Sequence, residues 1–410
     1  MAAPASRMIL VAGLAGLALR LVFGLAYWID KPLTHDEGEY LELARSLSAG
    51  RGFAYGPEHA VGTAQQFGRA PLYPMFLAAI GATGAQPDSA PTRVKTAQAV
   101  LGAALVVLIG AITRRSAGPA AGALAASIAA AYPPLVFYPA YVFSETLYSV
   151  VALSAALALQ IAVDRADRAR SSRAGAPLSL LAGILVGLAV LTRPAMLLFL
   201  PLAVLWLIAR RHHVLVVGVV AAAVAVVAPW TARNYRVHER FVLVASEGGV
   251  TFWTGNHPLA RGEGDLAANP ELKRAELEFR RAHPGLSAEE LEPLYYREAL
   301  RYIGEHFGWW LGLLARKAFY TIVPLGPSYA LHSLRYRIAS IVPYLILLPF
   351  GFIGAVRLWT APSRPSAVFL LAGAAILVCL LFFPQERFRV PVLDPVLIVC
   401  AAASGRRFLS

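Results

Sequence analysis

Ten apolar runs recur along the chain, and they constrain its fold more than any other feature. They lie at residues 8–29, 97–112, 120–132, 147–163, 178–191, 195–209, 214–228, 338–356, 367–383 and 390–403. A helix needs about 20 predominantly apolar residues to cross a bilayer, and the longer runs approach that length. With 58% hydrophobic and only 15% charged residues, the chain is too apolar for a soluble domain. The sequence therefore predicts an all-α polytopic membrane protein with about ten transmembrane helices.

The distribution of arginine between the runs predicts the orientation, because short loops rich in Lys and Arg stay in the cytoplasm. If the N-terminus is cytoplasmic, the inner loops hold thirteen arginines and two acidic residues, Asp164 and Asp167, which is a net charge of +11 out of +13 for the whole chain. Membrane topology thus explains the basic character, and nucleic acid is not predicted as a partner. We expect a multi-pass protein of the cell inner membrane with cytoplasmic N- and C-termini, in contact with membrane lipids.

Two polar segments interrupt the runs on the predicted outer side. The first is an outer loop, 30–96, within an N-terminal membrane domain, 1–231. The second, 232–337, precedes the C-terminal membrane helices, 338–410, and contains the capping-box pattern S-A-E-E from Ser287. Because this segment has too little apolar content for a large core, we expect a small outer cap of mixed structure.

Residues 309–325, WWLGLLARKAFYTIVPL, form an apolar stretch inside the cap segment. Arg316 and Lys317 lie near its middle, and two tryptophans lie at one end. This pattern favours an interfacial amphipathic helix over a further span. A span here would also place the arginine-rich C-terminus outside.

Most polar motifs fall at the outer ends of the predicted spans. They are HDEGE after the first span, FGRAPLYP at 67–74, FSETLY at 143–148, LTRP at 191–194, PWTARNYR at 229–236 and FPQERFRVP at 383–391. Ionisable groups at membrane depth are costly and usually functional. Acidic and arginine residues from six loops should therefore converge on one face.

Each motif also has a structural interpretation. Thr34 and Glu37 fit a capping box, followed by an apolar helical face. Capping accounts for Glu37 but not for His35 and Asp36 beside it. Glu145 alone would be read as a snorkelling residue, and the arginines as anchors to lipid headgroups.

Taken together, the motifs resemble family 39 glycosyltransferases, a group that includes the protein O-mannosyltransferases and, more distantly, the bacterial aminoarabinose transferases acting on lipid A. The resemblance rests on the acidic pair at 36–37, the R-A-P-L-Y segment, Glu145, L-T-R-P, GGVTFWTGNHP at 248–258 and ERFRVPVLDP at 386–395. It covers most of the chain. It implies a GT-C-type fold and a sugar donor carried on a polyprenyl phosphate.

The resemblance also implies roles for individual residues. Asp36 and Glu37 match the acidic pair of the family's first loop, Glu145 stands where many relatives have Asp, and Arg69 stands where some have Lys. The implied catalytic residues are Asp36, Glu37 and Glu145. The residues implied to bind the donor phosphate or its lipid are Arg69, Tyr73, Arg193, Arg387 and Arg389. Those implied for the acceptor or the cap are His35, Trp253 and Asn256.

The expected reaction is a single displacement on the outer face, which moves a sugar to a hydroxyl of a glycan, lipid or protein. Arginines would stabilise the charge on the leaving phosphate, and Asp36 would act as the carboxylate base. The sequence requires no cofactor; a divalent cation, Mg or Mn, would be held by Asp36 and Glu145 if the reaction uses one.

The alternative function is that of a polytopic transporter or a flippase for lipid-linked sugars. Such proteins place their sites near the bilayer midplane and often contain internal repeats. In this sequence the charges gather at one surface and no repeat is apparent, so the transferase is preferred.

Overall fold

The computed structural model describes residues 2–55, 68–82, 88–264 and 266–405. Residues 56–67 and 83–87 of the predicted outer loop 30–96, together with Arg406 and Arg407, lie outside the described residues. Within these ranges the chain is helical and forms no strand, apart from an isolated bridge between Pro32 and Ser89. The all-α prediction is confirmed to that extent.

The described ranges contain the following α-helices, in chain order. They are α1 (Ala2–Val22), α2 (His35–Ser48), α3 (Leu72–Ala79), α4 (Thr92–Ala117), α5 (Pro119–Ala131), α6 (Pro133–Phe137), α7 (Glu145–Ala169), α8 (Ala176–Thr192), α9 (Phe199–Ala209), α10 (His213–His238), α11 (Gly248–Asn256), α12 (Pro270–Ala282), α13 (Ala288–Glu305), α14 (Phe307–Ile322), α15 (Leu334–Thr360), α16 (Ser366–Leu381), α17 (Glu386–Arg389) and α18 (Leu393–Ala403).

All ten apolar runs coincide with helices, but their lengths differ. In the described chain, α1, α4, α7, α8, α10 and α15 are the six helices long and apolar enough to cross a membrane. The α5–α6 pair would make a seventh, although it is bent by 62°. The helices α9, α16 and α18 are apolar but shorter. The chain is therefore a multi-pass membrane protein, while the predicted count of about ten spans is not confirmed.

Close helix packing in the membrane domain depends on small residues. The helix α7 packs against α4, α8 and α16, and α8 packs against α10. Gly183 of α8 faces the backbone of Val219 in α10, and Gly354 of α15 faces the backbone of Cys400 in α18, in each case too closely for a Cβ atom. Small residues let helix backbones approach where lipid offers no hydrophobic driving force.

Arg20, the charge inside the first apolar run, stabilises the bend between α5 and α6. The two residues that follow the bend are Pro133 and Pro134, which have no N–H to donate to the carbonyls of Ala129 and Ala130. Arg20 supplies those donors: Nη1 donates to the Ala130 carbonyl and Nη2 to the Ala129 carbonyl, each at 3.2 Å. A buried guanidinium thus replaces two missing helical hydrogen bonds.

The arginine-rich loops meet at the C-terminal ends of α4 and α7. Arg115 pairs with Asp164 at 2.5 Å, and Arg210 pairs with Asp167 at 2.5 Å. Both acidic residues of the predicted inner loops are therefore engaged by arginine. The N-terminal end of α7 and the C-terminal ends of α1 and α8 lie at the other end of the domain, which we call the cap end.

The segment 232–337, predicted as the outer cap, includes the end of α10, the helices α11 to α14 and the start of α15; the part between α10 and α15 is called the cap below. Its core is built from α11, α12 and α13 around Trp253, Leu272, Leu291 and Tyr295. The helix α13 begins with the predicted capping box at Ser287 and Glu290. Because the described part of this segment consists of helices and loops, the prediction of mixed structure is not confirmed.

The stretch 309–325 corresponds largely to α14. It is not among the described helices that are long and apolar enough to cross a membrane. It packs against α16, and its buried Lys317 Nζ donates to the Leu380 carbonyl at 3.1 Å and to Asn256 Oδ1 at 3.0 Å. This helix therefore fastens the cap to the end of α16.

Candidate functional site

The first turn of α2 positions Asp36. Thr34 caps this helix: its Oγ1 accepts from the Glu37 amide at 3.4 Å, and Glu37 Oε2 accepts from the Thr34 amide at 2.8 Å. The other oxygen, Glu37 Oε1, accepts from the Val142 amide at 2.8 Å and so joins α2 to the segment before α7. Capping and this long-range bond together occupy both oxygens of Glu37.

Asp36 lies between two arginines from distant parts of the chain. Its Oδ1 accepts from Arg69 Nη2 at 2.8 Å, and its Oδ2 accepts from Arg387 Nη1 at 2.5 Å. The Asp36 side chain is 27% exposed to solvent. Burial acts to raise the pKa of Asp36, but the two guanidinium groups outweigh it and hold this pKa well below its ordinary value. Asp36 is thus ionised and oriented at neutral pH.

Arg69 joins the first outer loop to the cap. Its Nε donates to Glu39 Oε2 at 2.8 Å and its Nη1 donates to Glu247 Oε2 at 2.9 Å, in addition to the bond to Asp36. The neighbouring Gly68 amide donates to Ser246 Oγ at 2.7 Å. With Nε, Nη1 and Nη2 all bound to carboxylates, the guanidinium of Arg69 is close to saturated.

Glu145 forms the second carboxylate of the site. It begins α7, is 1% exposed, and accepts through Oε1 from Arg387 Nε at 2.6 Å. Arg193, directly after α8, brings its Nη1 to 2.9 Å from the same oxygen. Arg387 stacks on Phe143, with its guanidinium carbon 4.0 Å from the ring centroid. The structure thus brings Asp36, Glu145 and three of the predicted arginines together.

Two cavities meet at this cluster, because Asp36, Gln385 and Arg387 line both. The larger encloses about 600 Å³. Its charged lining consists of Asp36, Arg69, Arg193, Glu247, Glu292 and Arg387, and its apolar lining includes Leu197, Leu198, Val378, Phe382 and Phe388. The smaller, of about 450 Å³, is lined by aromatic rings and by His35, His332 and Glu386. Both have the size of a ligand site.

Several predicted site residues lie elsewhere. Glu37 lines neither cavity. Tyr73 is fully buried in a small core and packs edge-on against Tyr40. Arg389 lies in a separate buried group, with its Nε 2.9 Å from Asp394 Oδ1. Their catalytic or donor-binding roles stay predictions, and the contacts of all three residues are those of the protein core.

The residues predicted for the acceptor or the cap also separate. Trp253 belongs to the cap core. Asn256 is fully buried, donates to the Leu381 carbonyl at 2.9 Å, and accepts from Trp310 Nε1 at 3.0 Å, so it links α11 to α14 and α16. Only His35 reaches a cavity; its Nε2 lies 3.2 Å from Glu39 Oε1.

Asp36 and Glu145 were predicted as the ligands of a divalent cation, if one is used. Arg387 bridges these two carboxylates, with Nη1 on Asp36 and Nε on Glu145. Across the described ranges, no three His, Cys, Asp or Glu residues are grouped so that they could hold a metal ion. The role of these two carboxylates as ligands of a divalent cation stays a prediction, and no step proposed below uses such an ion.

Among the carboxylates in or near the site that the sequence prediction missed are Glu39, Glu247 and Glu386. Glu39 lies three residues after Asp36 on α2, a spacing that places both on one helix face, so this signal was available. Glu247 immediately precedes α11, where an acidic residue favours a helix N-terminus. Glu386 is part of the motif FPQERFRVP, of which only Arg387 and Arg389 were predicted as site residues.

Solved structures of similar fold exist. The oligosaccharyltransferase AglB from Archaeoglobus fulgidus, in complex with an inhibitory peptide and a dolichol-phosphate, matches with a TM-score of 0.56 and 15% identity over 97% of this chain and 49% of that chain. The same enzyme tethered to an acceptor peptide containing the NVT sequon gives a TM-score of 0.57 and 15% identity over the same shares. ArnT from Cupriavidus metallidurans bound to undecaprenyl phosphate gives a TM-score of 0.43 and 14% identity over 97% of this chain and 77% of that chain. No family model and no curated protein matches the chain.

This likeness shows the fold. The chain has the fold of the archaeal oligosaccharyltransferase over 97% of its length, which agrees with the GT-C-type fold that the motifs implied. It spans about half the length of the archaeal oligosaccharyltransferase.

Proposed function

We propose that this protein is an integral membrane glycosyltransferase that moves a sugar from a polyprenyl-phosphate donor to an acceptor hydroxyl. The observation that carries the proposal is the wall shared by the two cavities, in which Asp36 and Arg387 face both. A donor in one cavity and an acceptor in the other would meet at a carboxylate and a guanidinium. These are the groups that a displacement at a sugar phosphate requires.

The donor phosphate is assigned to Arg193 and Arg387 in the larger cavity. As far as the chain is described, Arg193 reaches Glu145 and Ser144 through Nη1 alone. Arg387 uses Nε and Nη1, which leaves Nη2 for a ligand. Because Arg69 is close to saturated, we assign it to holding Asp36 in place. The spare N–H groups of the other two arginines match phosphate oxygens.

The apolar lining of the same cavity suits the first units of a prenyl chain. Leu197, Leu198 and Phe388 lie beside Arg193 in this lining, so a charged headgroup and an apolar chain would be bound side by side. The complex of AglB with a dolichol-phosphate supports a lipid-linked donor in this fold.

In the proposed reaction the acceptor oxygen attacks the anomeric carbon of the donor sugar. The bond between that carbon and the phosphate oxygen breaks, and its electron pair stays on the phosphate, where Arg193 and Arg387 stabilise the charge. The acceptor proton passes to Asp36, which has lone pairs beyond those used by the two arginines. A single displacement of this kind inverts the anomeric configuration.

The outer face is proposed from the distribution of charge. The arginine-rich ends of α4 and α7 would be cytoplasmic, which puts the cap end, and with it Asp36 and Glu145, on the other side. Nucleotide sugars are made in the cytoplasm, so a lipid-linked sugar is the donor expected at that face.

The test uses purified protein in proteoliposomes, supplied either with a polyprenyl-phosphate sugar or with a nucleotide sugar. We expect transfer from the lipid-linked donor alone. Replacement of Arg193 or Arg387 by Gln should reduce transfer by roughly 10²–10³-fold, as for loss of a donor to a developing anion. It should also reduce the rise in unfolding temperature that polyprenyl phosphate causes by binding the folded state.

A matched control is Arg240→Gln, since Arg240 lies on the exposed cap surface and pairs with Glu290 at 2.8 Å. It should leave both measurements unchanged. Sustained transfer from a nucleotide sugar without a lipid carrier contradicts the proposal. Binding of the lipid-linked sugar without turnover, across a broad acceptor panel, favours the flippase.

A further inference from the structure

The smaller cavity has no role in donor binding, yet it reaches the reacting groups. Five aromatic side chains line it: Tyr138, Tyr141, Phe143, Tyr329 and Tyr336. Asp36 and Arg387 form its boundary with the donor cavity. A molecule in this cavity would lie against the carboxylate that we assign as the base.

The charges on the lining disfavour an anion. Among the described lining residues, Arg387 is the sole arginine or lysine. Its Nε and Nη1 are paired with Glu145 and Asp36, and its Nη2 is assigned to the donor phosphate. Two acidic residues, Asp36 and Glu386, face the same space. A phosphate or carboxylate on the acceptor would therefore meet like charge without a free cation to compensate it. The larger cavity, by contrast, is lined by three arginines.

The aromatic lining favours a sugar ring. Tyr141 and Phe143 stack with their centroids 5.3 Å apart and their planes within 6°, and Tyr336 stacks on His332 at 4.3 Å. Such rings offer flat apolar faces, and the tyrosines add hydroxyl groups at their edges. A sugar presents C–H groups to such faces and hydroxyls to the polar edges.

Glu386 is the one carboxylate among the described lining residues of this cavity that the mechanism does not use. It is 8% exposed. Its Oε2 accepts from the Tyr336 hydroxyl at 2.6 Å. Its Oε1 has no hydrogen-bond partner among the described residues, and Arg389 Nη2 lies 3.8 Å from it. A buried acceptor oxygen without a donor costs free energy unless a ligand satisfies it.

We propose that the smaller cavity binds an uncharged glycan as the acceptor and that Glu386 Oε1 accepts a hydrogen bond from one of its hydroxyls. This inference rests on the proposed transferase function and specifies its acceptor. Glu386 acts as a positioning residue: it holds the sugar so that a neighbouring hydroxyl points at Asp36. Tyr336 in turn fixes the carboxyl of Glu386 through its hydroxyl.

The experiment compares matched acceptors with one polyprenyl-phosphate sugar donor. They are a neutral oligosaccharide, the same oligosaccharide carrying a phosphate or a carboxylate, and a peptide rich in Ser and Thr. We expect the neutral glycan to be used, with kcat/KM at least roughly tenfold above that of the charged forms. Preference for a charged glycan or for the peptide overturns the inference and leaves the proposed transferase standing. If no sugar leaves the donor with any acceptor, the proposed function fails as well.

Variants then test Glu386. Glu386→Gln should raise the KM for the glycan by roughly tenfold, with a smaller effect on kcat and an unchanged thermal shift from polyprenyl phosphate. Tyr336→Phe keeps the ring and removes the hydroxyl, and it should raise the same KM to a lesser extent. The control is Glu305→Gln, at the exposed end of α13. An unchanged acceptor KM in both cavity variants overturns the assignment, and so does an equal loss of donor binding.

Discussion

Replacing Asp36 by asparagine should remove turnover while leaving the protein folded. Asparagine keeps the shape of the side chain, but one of its terminal atoms becomes an NH₂ group that cannot accept from an arginine. One of the two contacts, with Arg69 or with Arg387, is therefore lost. A hydrogen bond to a charged group contributes about 1.5–3 kcal/mol. Because each guanidinium keeps another carboxylate, Glu39 or Glu145, we expect the free energy of unfolding to fall by no more than that.

The effect on catalysis should be much larger than the effect on folding. Loss of a general base typically costs about 10²–10⁴-fold in rate, which corresponds to roughly 3–5.5 kcal/mol of activation free energy. The rate is measured as transfer of labelled sugar from a polyprenyl-phosphate donor at saturating donor and acceptor. Stability is measured on the same preparation by thermal unfolding, with polyprenyl phosphate added to check that the donor site survives.

The matched control is Glu39→Gln. Glu39 lies on the same helix as Asp36 and, like Asp36, accepts from the guanidinium of Arg69. It lines neither cavity. Its replacement should lower stability by a similar amount and leave turnover close to wild type. The assignment of Asp36 as the base is refuted if Asp36→Asn keeps more than roughly a tenth of wild-type turnover. It is also refuted if Glu39→Gln loses as much turnover as Asp36→Asn. Glu145 would then be the next candidate for the base.

Three further outcomes are expected. Reporter fusions after Gly264 should report the outside and fusions after Arg170 the cytoplasm, and a cytoplasmic signal at Gly264 contradicts the orientation. Gly102→Ala places a Cβ 2.5 Å from Arg20 Nε and should lower the free energy of unfolding by about 1–3 kcal/mol. Gly304→Ala, where nothing lies within 4 Å of the new Cβ, should leave it unchanged. Equal unfolding temperatures for the two variants would count against the role of Arg20. Burial raises the pKa of Glu292 from 4.5 to about 7, so stability should fall as pH rises through this interval and level off above it; thermal scans of Glu292→Gln should lack that slope.

The parts of the fold that were predictable are local in the sequence. The apolar runs became helices because each run meets its own hydrogen-bonding needs in a helix. The two capping boxes, Thr34 with Glu37 and Ser287 with Glu290, formed as their spacing indicates. The number of membrane-spanning helices was less predictable. A short apolar run forms a helix, but its length does not decide whether that helix crosses the membrane.

The pairing of charges could not be predicted, because it joins distant segments. Arg69 and Glu247 are 178 residues apart in the chain, and no periodicity connects them. Trp253 and Asn256 were both predicted as site residues because they lie in one motif. In the structure their side chains contact different parts of the protein. One of these residues packs inside the cap, and the other holds the cap to α16.

The contact between Arg20 and the α5–α6 bend has a consequence for biosynthesis. Besides the Gly16 carbonyl of its own helix, the carbonyls that accept from Arg20 lie 109 and 110 residues later in the chain, so the ribosome delivers the arginine long before these two partners. An arginine at the centre of an inserting helix costs about 2.5–3.5 kcal/mol; Arg20 lies in the last turn of α1, where we expect a smaller cost of the same sign. A nascent chain that ends before residue 129 should therefore hold its first helix in the membrane less firmly than one that extends past Pro134. We therefore expect the first helix to reach its final depth only after the third apolar run has followed it into the bilayer.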